Sequence, residues 1–222
     1  MNEKQVAAEK AVEFIEDGMV VGLGTGSTVA FMVKKLAEKV GEGLNITTVS
    51  TSTVTTKLAE SLGIRIVNFD DISEIDLTID GADEVDANLN GIKGGGGALL
   101  FEKIVAASSR KNIWIIDSAK LVDNLGKFPL PLEVVPFGIE HTVSKLKKGG
   151  YNPELRMADE KIFLTDGNHY TIDLLLKKIK APINLEIELK KLPGIIETGL
   201  FINIADMVIV GKTNSYEILR RG

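Results

Sequence analysis

The chain has no cysteine, only two histidines and one tryptophan, and no long apolar run. Without cysteine there is no disulfide framework, no thiol nucleophile and no cysteine-based metal site. His141 and His169 are too few and too isolated for a histidine-rich metal centre, and both read as structural or surface residues. No apolar stretch approaches the roughly 20 residues needed to span a bilayer. The opening residues, Met1-Asn2-Glu3-Lys4-Gln5-Val6, lack the charged-then-apolar layout of a signal peptide, so a cytoplasmic protein is expected. Positive charge is scarce as well. The formal net charge is −5 and the lysines are scattered, which argues against a protein that grips nucleic acid phosphates and against a polybasic membrane patch.

What is present is ordinary for a globular chain: 222 residues, 44% hydrophobic and 26% charged. That length holds one large domain, or a main domain with a smaller partner. Residues 3–15 carry Val6, Ala7, Ala11, Phe14 and Ile15 at helical spacing, and Asp17-Gly18 ends the pattern. Met19–Leu23 reads as a buried strand, followed by a helix bearing Val29, Met32, Val33, Leu36 and Val40 that stops at Gly41. Further strands are expected at Ile46–Val49, Arg65–Val67, Ile75–Ile79 and Asn112–Ile116, with a helix over Ser52–Leu62. Short apolar runs alternating with helical segments predict βαβ units and a parallel sheet.

The pattern changes near Gly126. Phe128–Pro136 contains three prolines and is expected to cross over into an edge strand. A helix over Ile139–Lys148, strands at Leu155–Met157 and Lys161–Thr165, a helix after Pro182 and a strand at Ile195–Phe201 complete a βαββαβ order. Met207–Val210 then reads as a strand and Thr213–Arg221 as a helix. The expected fold class is α/β: a Rossmann-like parallel-sheet main domain over residues 1–126 plus 202–222. A smaller ferredoxin-like α+β domain, residues 127–201, is inserted near its C-terminal end.

Three stretches carry chemistry. Gly24-Thr25-Gly26-Ser27-Thr28 joins a strand to a helix N-terminus, where free N–H groups and the helix dipole favour an anion. The dinucleotide fingerprint fails, because Ser27 or Val29 replaces its last glycine, and no Gly-Lys-Ser/Thr of a P-loop follows. The hydroxyls of Thr25, Ser27 and Thr28 suit one terminal phosphate, and they equally suit a plain helix cap. Asp80-Gly81-Ala82-Asp83-Glu84 places three acids in five residues at the carboxyl end of a strand. Paired carboxylates raise one another's pKa and can do acid–base work. A turn, or a divalent metal site, would use the same residues. Lys93-Gly94-Gly95-Gly96-Gly97-Ala98 leads into a helix bearing Glu102. On that helix Glu102 shares a face with Ala98, Phe101 and Val105. Apolar neighbours raise a carboxyl pKa towards that of a base, whereas the helix N-terminus lowers it. A base, the Lys93 cation, an acid pair and a phosphate loop together suit proton abstraction beside a carbonyl in a sugar phosphate. Taken alone, Glu102 and Lys103 would be a solvated helix face.

The blocks Gly22–Thr28, Asp80–Glu84, Lys93–Lys103, Asp117-Ser118-Ala119-Lys120, Gly126–Pro131 and Pro193-Gly194…Gly199-Leu200-Phe201 resemble, in order and spacing, the type A ribose-5-phosphate isomerases. The resemblance spans nearly the whole chain. It implies interconversion of D-ribose 5-phosphate and D-ribulose 5-phosphate through an enediolate, with no metal and no organic cofactor, in a homodimer or homotetramer. It makes Glu102 the base, with Lys93 and the amides of Gly94, Gly95 and Gly96 stabilising the enediolate. Asp80 and Asp83, flanking Gly81 and Ala82, would contact sugar hydroxyls and assist ring opening. Thr25, Gly26, Ser27 and Thr28 would hold the phosphate, Lys120 would contact substrate, and Lys4 would reach the phosphate. Family members often carry alanine where this chain has Gly97 and arginine where it has Phe101. Two rival classes are a non-catalytic sugar-phosphate sensor, disfavoured by the lack of a DNA-binding unit or basic surface, and a metal-dependent sugar-phosphate enzyme using the acids at 80–84.

Overall fold

The computed structural model describes residues 2–221. Asn2 caps the first helix, its side chain accepting a hydrogen bond from the Lys4 N–H. From there the order is α1 (Glu3–Val12), β1 (Val20–Leu23), α2 (Ser27–Gly41), β2 (Thr47–Ser50), α3 (Thr53–Ser61), β3 (Leu77–Gly81), β4 (Glu84–Val85), β5 (Gly91–Ile92), α4 (Leu99–Ala107) and β6 (Asn112–Asp117). The second half runs β7 (Leu130–Val134), α5 (Ile139–Lys148), β8 (Pro153–Leu155), β9 (Met157–Ala158), β10 (Lys161–Ile162), β11 (Tyr170–Leu174), α6 (Pro182–Lys190), β12 (Ile195–Thr198), β13 (Leu200–Phe201), β14 (Met207–Lys212) and β15 (Ser215–Arg220).

The main sheet has the order β15-β14-β6-β3-β1-β2 and is parallel except for β15. Its strands are apolar on both sides, and their period of two divides the side chains between two cores. Ile113, Ile115, Met207 and Ile209 join the cluster formed with α1, α2 and α3, whereas Trp114, Ile116, Val208 and Val210 face the opposite cluster with Leu99 of α4. The chain leaves β1 towards β2 on one side, and β3 flanks β1 on the other. The Gly24 N–H donates to the Ile79 carbonyl at 2.9 Å, so the carboxyl ends of β1 and β3 lie side by side. This is the topological switch point at which open α/β sheets bind ligands.

The second sheet has the order β12-β7-β11-β8, antiparallel throughout, the strand arrangement of a ferredoxin-like unit. Leu130, Leu132, Val134, Ile172 and Leu174 pack there with Leu146 of α5 and Leu189 of α6. Two short sheets accompany it: the β9–β10 hairpin, and β13-β5-β4, which ties the second unit to the acidic turn after β3. No helix among the described residues is long and apolar enough to cross a membrane.

Five sequence expectations need correction. The strand expected at 161–165 is only β10, in the hairpin with β9, and the third strand of the βαββαβ unit is β11 (Tyr170–Leu174), where none was expected. Residues 65–67 form no strand; Ile66 makes a single bridge to Thr48. Residues 130–134 are an interior strand, not an edge. Pro131 is tolerated because its carbonyl, on the β12 side, accepts from Gly199, and its missing donor lies on that same side, just beyond the β12 ladder. The expected strand at 195–201 splits at Gly199 between two sheets. The expected C-terminal helix is strand β15, hairpinned to β14. There Ile218 reaches one core and Leu219 the other, an alternation that a helix would have lost.

Gly211 of β14 lies against the first turn of α1, where a Cβ would collide with the Glu3 carbonyl. Gly211→Ala should therefore lower stability by about 2 kcal/mol through overpacking. Urea unfolding should show an earlier midpoint at unchanged slope.

Candidate active site

A cavity of about 250 Å³ opens at the switch point, and the expected residues converge on it. Its wall is formed by Thr25, Gly26, Ser27 and Thr28 at the start of α2, by Gly81, Ala82 and Asp83 at the end of β3 and just beyond, by Lys93–Gly96 after β5, by Glu102 of α4 and by Lys120. Two expected residues stand just off the wall. Asp80 is buried behind it, and Lys4 reaches the rim, its ammonium 3.0 Å from the Ser27 hydroxyl.

At the phosphate-loop end, the Thr25 hydroxyl is held at 2.7 Å from Thr51 and 2.8 Å from Ser52, and Thr55 donates to the Gly24 carbonyl. Gly26, at φ +123°, precedes α2 without offering a side-chain cap. The first N–H groups of that helix are therefore left for an anion. Among the described residues the cavity gathers two further cations, Lys120 and, at the rim, Lys4. Burial pulls the Lys120 ammonium below the ordinary lysine value, against the pull of Asp83.

The reacting end is built on one ammonium. Lys93 Nζ lies 2.8 Å from Asp80 and 3.3 Å from Glu102 Oε2, and donates to the Gly81 carbonyl. The three residues are nearly solvent-free, at 2%, 2% and 4% exposed for Lys93, Asp80 and Glu102. Asp80 is fully engaged, since its other oxygen accepts from the N–H groups of Thr25 and Gly81. Gly24 is required by this arrangement, because a Cβ there would overlap the Asp80 carboxylate. Glu102 is not so well met. Lys93 approaches Oε2 off the hydrogen-bond direction, and that oxygen has no hydrogen-bond partner.

Burial pushes the Glu102 carboxyl upward, the Asp80 carboxylate adds to this, and Lys93 opposes both, leaving it raised to about 8. Burial likewise draws on Lys93, but its two carboxylates more than offset this and hold its ammonium above the ordinary value. Of the influences on Glu102 expected from the sequence, burial is the largest, and it is opposed by Lys93. Phe101, expected on the Glu102 face, instead points outward; the buried face of α4 is Leu99, Glu102, Val105 and Ala106.

The three acids at 80–84 do not converge. Asp83 accepts from the Gly95 N–H at 2.8 Å. Glu84 turns away to accept from the N–H groups of Gly126 and Phe128, both at 2.7 Å. Among the described residues no three of His, Cys, Asp and Glu cluster as a metal would need. His169 pairs with buried Glu133 at 2.9 Å and His141 is exposed on α5, both away from the cavity.

Sequence reading missed Arg156. It reaches from the second unit to donate to the carbonyls of Gly94 and Gly95, at 2.8 and 3.2 Å. No local motif marks a residue about sixty positions downstream of the loop it holds.

The family model described as ribose 5-phosphate isomerase A (phosphoriboisomerase A) matches residues 47–215, and a second, the DeoR C terminal sensor domain, matches residues 1–70. The ribose-5-phosphate isomerase A of Levilactobacillus brevis is 51% identical over 97% of this chain and 96% of its own length. That of Lacticaseibacillus paracasei is 53% identical over 97% and 95%. Among solved structures, a D-ribose-5-phosphate isomerase in complex with phospho-erythronic acid superposes with a TM-score of 0.95 at 43% identity, over the full length of both chains. Ribose 5-phosphate isomerase A of Methanocaldococcus jannaschii superposes with 0.93 at 36% identity, over 98% of each.

Because the Glu102 pKa is displaced upward, the folded chain holds a proton between about 4.5 and 8 that the unfolded chain has released. Stability therefore falls as pH rises through that window. Glu102→Gln removes the penalty. It should stabilise the protein at pH 8.5 by more than about 1 kcal/mol, since one unit of displacement is worth about 1.4 kcal/mol. The gain should shrink towards pH 5 in denaturant titrations.

Proposed function

The chain belongs to the ribose 5-phosphate isomerase A family, and we infer that its cavity interconverts D-ribose 5-phosphate and D-ribulose 5-phosphate, a step of the non-oxidative pentose phosphate pathway. The observation that carries the mechanism is Glu102 set beside Lys93 in a cavity whose other end is a helix N-terminus with unclaimed N–H groups. In the open-chain aldose, the Glu102 carboxylate takes the proton from C2. The C2–H electron pair forms the C1=C2 bond, and charge moves onto the former carbonyl oxygen. Lys93 and the loop N–H groups stabilise that oxygen. The C2 hydroxyl proton passes to the C1 oxygen, and the protonated Glu102 returns its proton to C1, leaving a hydroxyl at C1 and a carbonyl at C2, so the exchange balances without an oxidant or metal.

Asp83, on the cavity wall, is assigned to the sugar hydroxyls and to ring opening. Asp80, off the wall and saturated by Lys93 and two N–H groups, is assigned to holding Lys93. Thr25–Thr28 with Gly26, Lys120 and Lys4 take the phosphate, and Gly81 and Ala82 line the sugar. The division into residues 1–126 plus 202–222 and residues 127–201 is proposed on the separate sheets and separate apolar clusters. A homodimer or homotetramer in the cytoplasm is proposed from the family resemblance.

The sensor-domain match favours a second reading, a non-catalytic sugar-phosphate receptor. It covers the phosphate loop and stops short of Lys93 and Glu102, so it accounts for the binding half of the cavity and leaves the buried base unexplained.

Purified protein should isomerise ribose 5-phosphate with EDTA present as fast as without; loss of activity would reinstate the metal reading. Glu102→Gln should lower kcat by about a thousandfold, the middle of the range a positioned base contributes, while substrate still binds. With Glu102 raised to about 8, kcat/KM should climb with pH and level off above about 8, because only the carboxylate accepts the proton. A profile already flat from pH 6 would contradict the assignment.

A further inference from the structure

Arg156 lies between β8 and β9, and nothing in the reaction as described requires it. Its guanidinium is gripped by Asp173 of β11, with Nε 2.8 Å from Oδ2 and Nη2 on Oδ1, and it stacks over Phe163 with Cζ 5.8 Å from the ring centre. The pair is mostly buried, with side chains 15% and 19% exposed. The remaining nitrogen, Nη1, points out of the second unit at the Gly94 and Gly95 carbonyls.

Every peptide bond of the described chain is trans, so a carbonyl and the N–H of the next residue point in opposite directions. Holding the Gly94 carbonyl outward aims the Gly95 N–H the other way, and that N–H meets Asp83 at 2.8 Å. Holding the Gly95 carbonyl outward aims the Gly96 N–H away from Arg156. Gly96 lines the cavity, and among the described residues its N–H has no acceptor. The Gly94 carbonyl also accepts from the Gly97 N–H at 2.9 Å, within the loop, whereas the Gly95 carbonyl has Arg156 as its partner among the described residues, and glycines offer no side chains to fix that plane. A cation on the carbonyl side also polarises the peptide and strengthens the N–H opposite.

We propose that Arg156 is a positioning residue for the isomerisation: by clamping the Gly94 and Gly95 carbonyls it presents the Gly96 N–H to the developing enediolate oxygen. The second unit thereby supplies part of the transition-state stabilisation without touching substrate. The inference rests on the isomerase reading.

The test compares wild type, Arg156→Ala, Arg156→Lys and Asp173→Asn for kcat, KM, inhibition by a phosphorylated aldonate, whose planar carboxylate mimics the enediolate, and thermal unfolding. Losing an oxyanion donor outright lowers kcat by roughly 100- to 1,000-fold, so misaiming one should lower it about 10- to 100-fold. In Arg156→Ala, KM should stay within about threefold, aldonate inhibition should weaken in step with kcat, and added guanidinium ion should restore part of the rate. Lysine cannot span both carbonyls and the Asp173 fork, so Arg156→Lys should fall between, with no guanidinium rescue. Folded Arg156→Ala with wild-type kcat overturns the inference, as does a lowered unfolding temperature with unchanged kcat per folded molecule. If the alanine variant does not fold, wild-type kcat in Arg156→Lys overturns it equally. A wild-type protein without isomerase activity overturns the functional reading and this inference together. An active wild type with indifferent variants overturns this inference alone.

Discussion

Lys93 stands between the carboxylates of Asp80 and Glu102, 2.8 and 3.3 Å away, where water hardly reaches. A buried charge is tolerated only when it is paired and hydrogen-bonded, and one ammonium cannot fully satisfy two carboxylates. Asp80 takes the better share, with Lys93 on one oxygen and two backbone N–H groups on the other. The remaining strain falls on Glu102, whose Oε2 is left without a hydrogen bond. Burial, and with it that imbalance, makes Glu102 a carboxyl that keeps its proton towards pH 8 and can pass it back and forth during an isomerisation.

Much of the local structure exists to hold that imbalance. The main sheet brings the ends of β1 and β3 together, and the small β13-β5-β4 sheet sets Lys93 at their mouth, its N–H donating to Gly199 at 2.9 Å. On α4, Lys103 faces away from the cavity and donates to the carbonyls of Thr198 and Leu200, tying the helix that carries Glu102 to the second unit. Lys93 and Lys103 both lie over the Phe201 ring, at 5.2 and 4.7 Å, so one aromatic side chain braces both sides of the base. A second tie crosses near the phosphate loop, where Asp166 accepts from the Thr53 N–H at 2.7 Å at the start of α3. The cavity is lined by residues of the first unit, and the second unit braces its walls from behind through the partners of Lys103, through Arg156 and through Asp166.

The sequence made the contiguous parts of this site legible. Glycine at Gly24 and at Gly94–Gly97, acids at a strand end and a lysine before a helix each have a local reason to occur in that order. Of these, Gly94, Gly95, Gly96, Asp83 and Lys93 line the cavity, Gly24 and Asp80 lie together just behind it, and Gly97 and Glu84 stand outside its lining. What was not legible depends on distance along the chain. Arg156, Asp173 and Asp166 look like ordinary surface charges until the second unit folds back on the first. The split between Asp80, Asp83 and Glu84 was hidden for the same reason, because their partners are Lys93, Gly95 and the Gly126–Phe128 turn. The misread strands share a cause too. Proline at 131 signals an edge only while the side its missing donor faces is unknown, and Ser215–Arg220 shows its period of two only at Ile218 and Leu219, which meet opposite cores while the rest of the strand is exposed.

The central claim is that burial, with the Asp80 carboxylate competing for Lys93, raises the Glu102 carboxyl in the resting protein. Carbon-13 NMR of glutamate side-chain carboxyls, with Glu102→Gln identifying the resonance, measures this directly. A Glu102 signal titrating near pH 8 is the result the account predicts. A midpoint in the ordinary carboxylate range, near the 4.5 of a free glutamate, would contradict it.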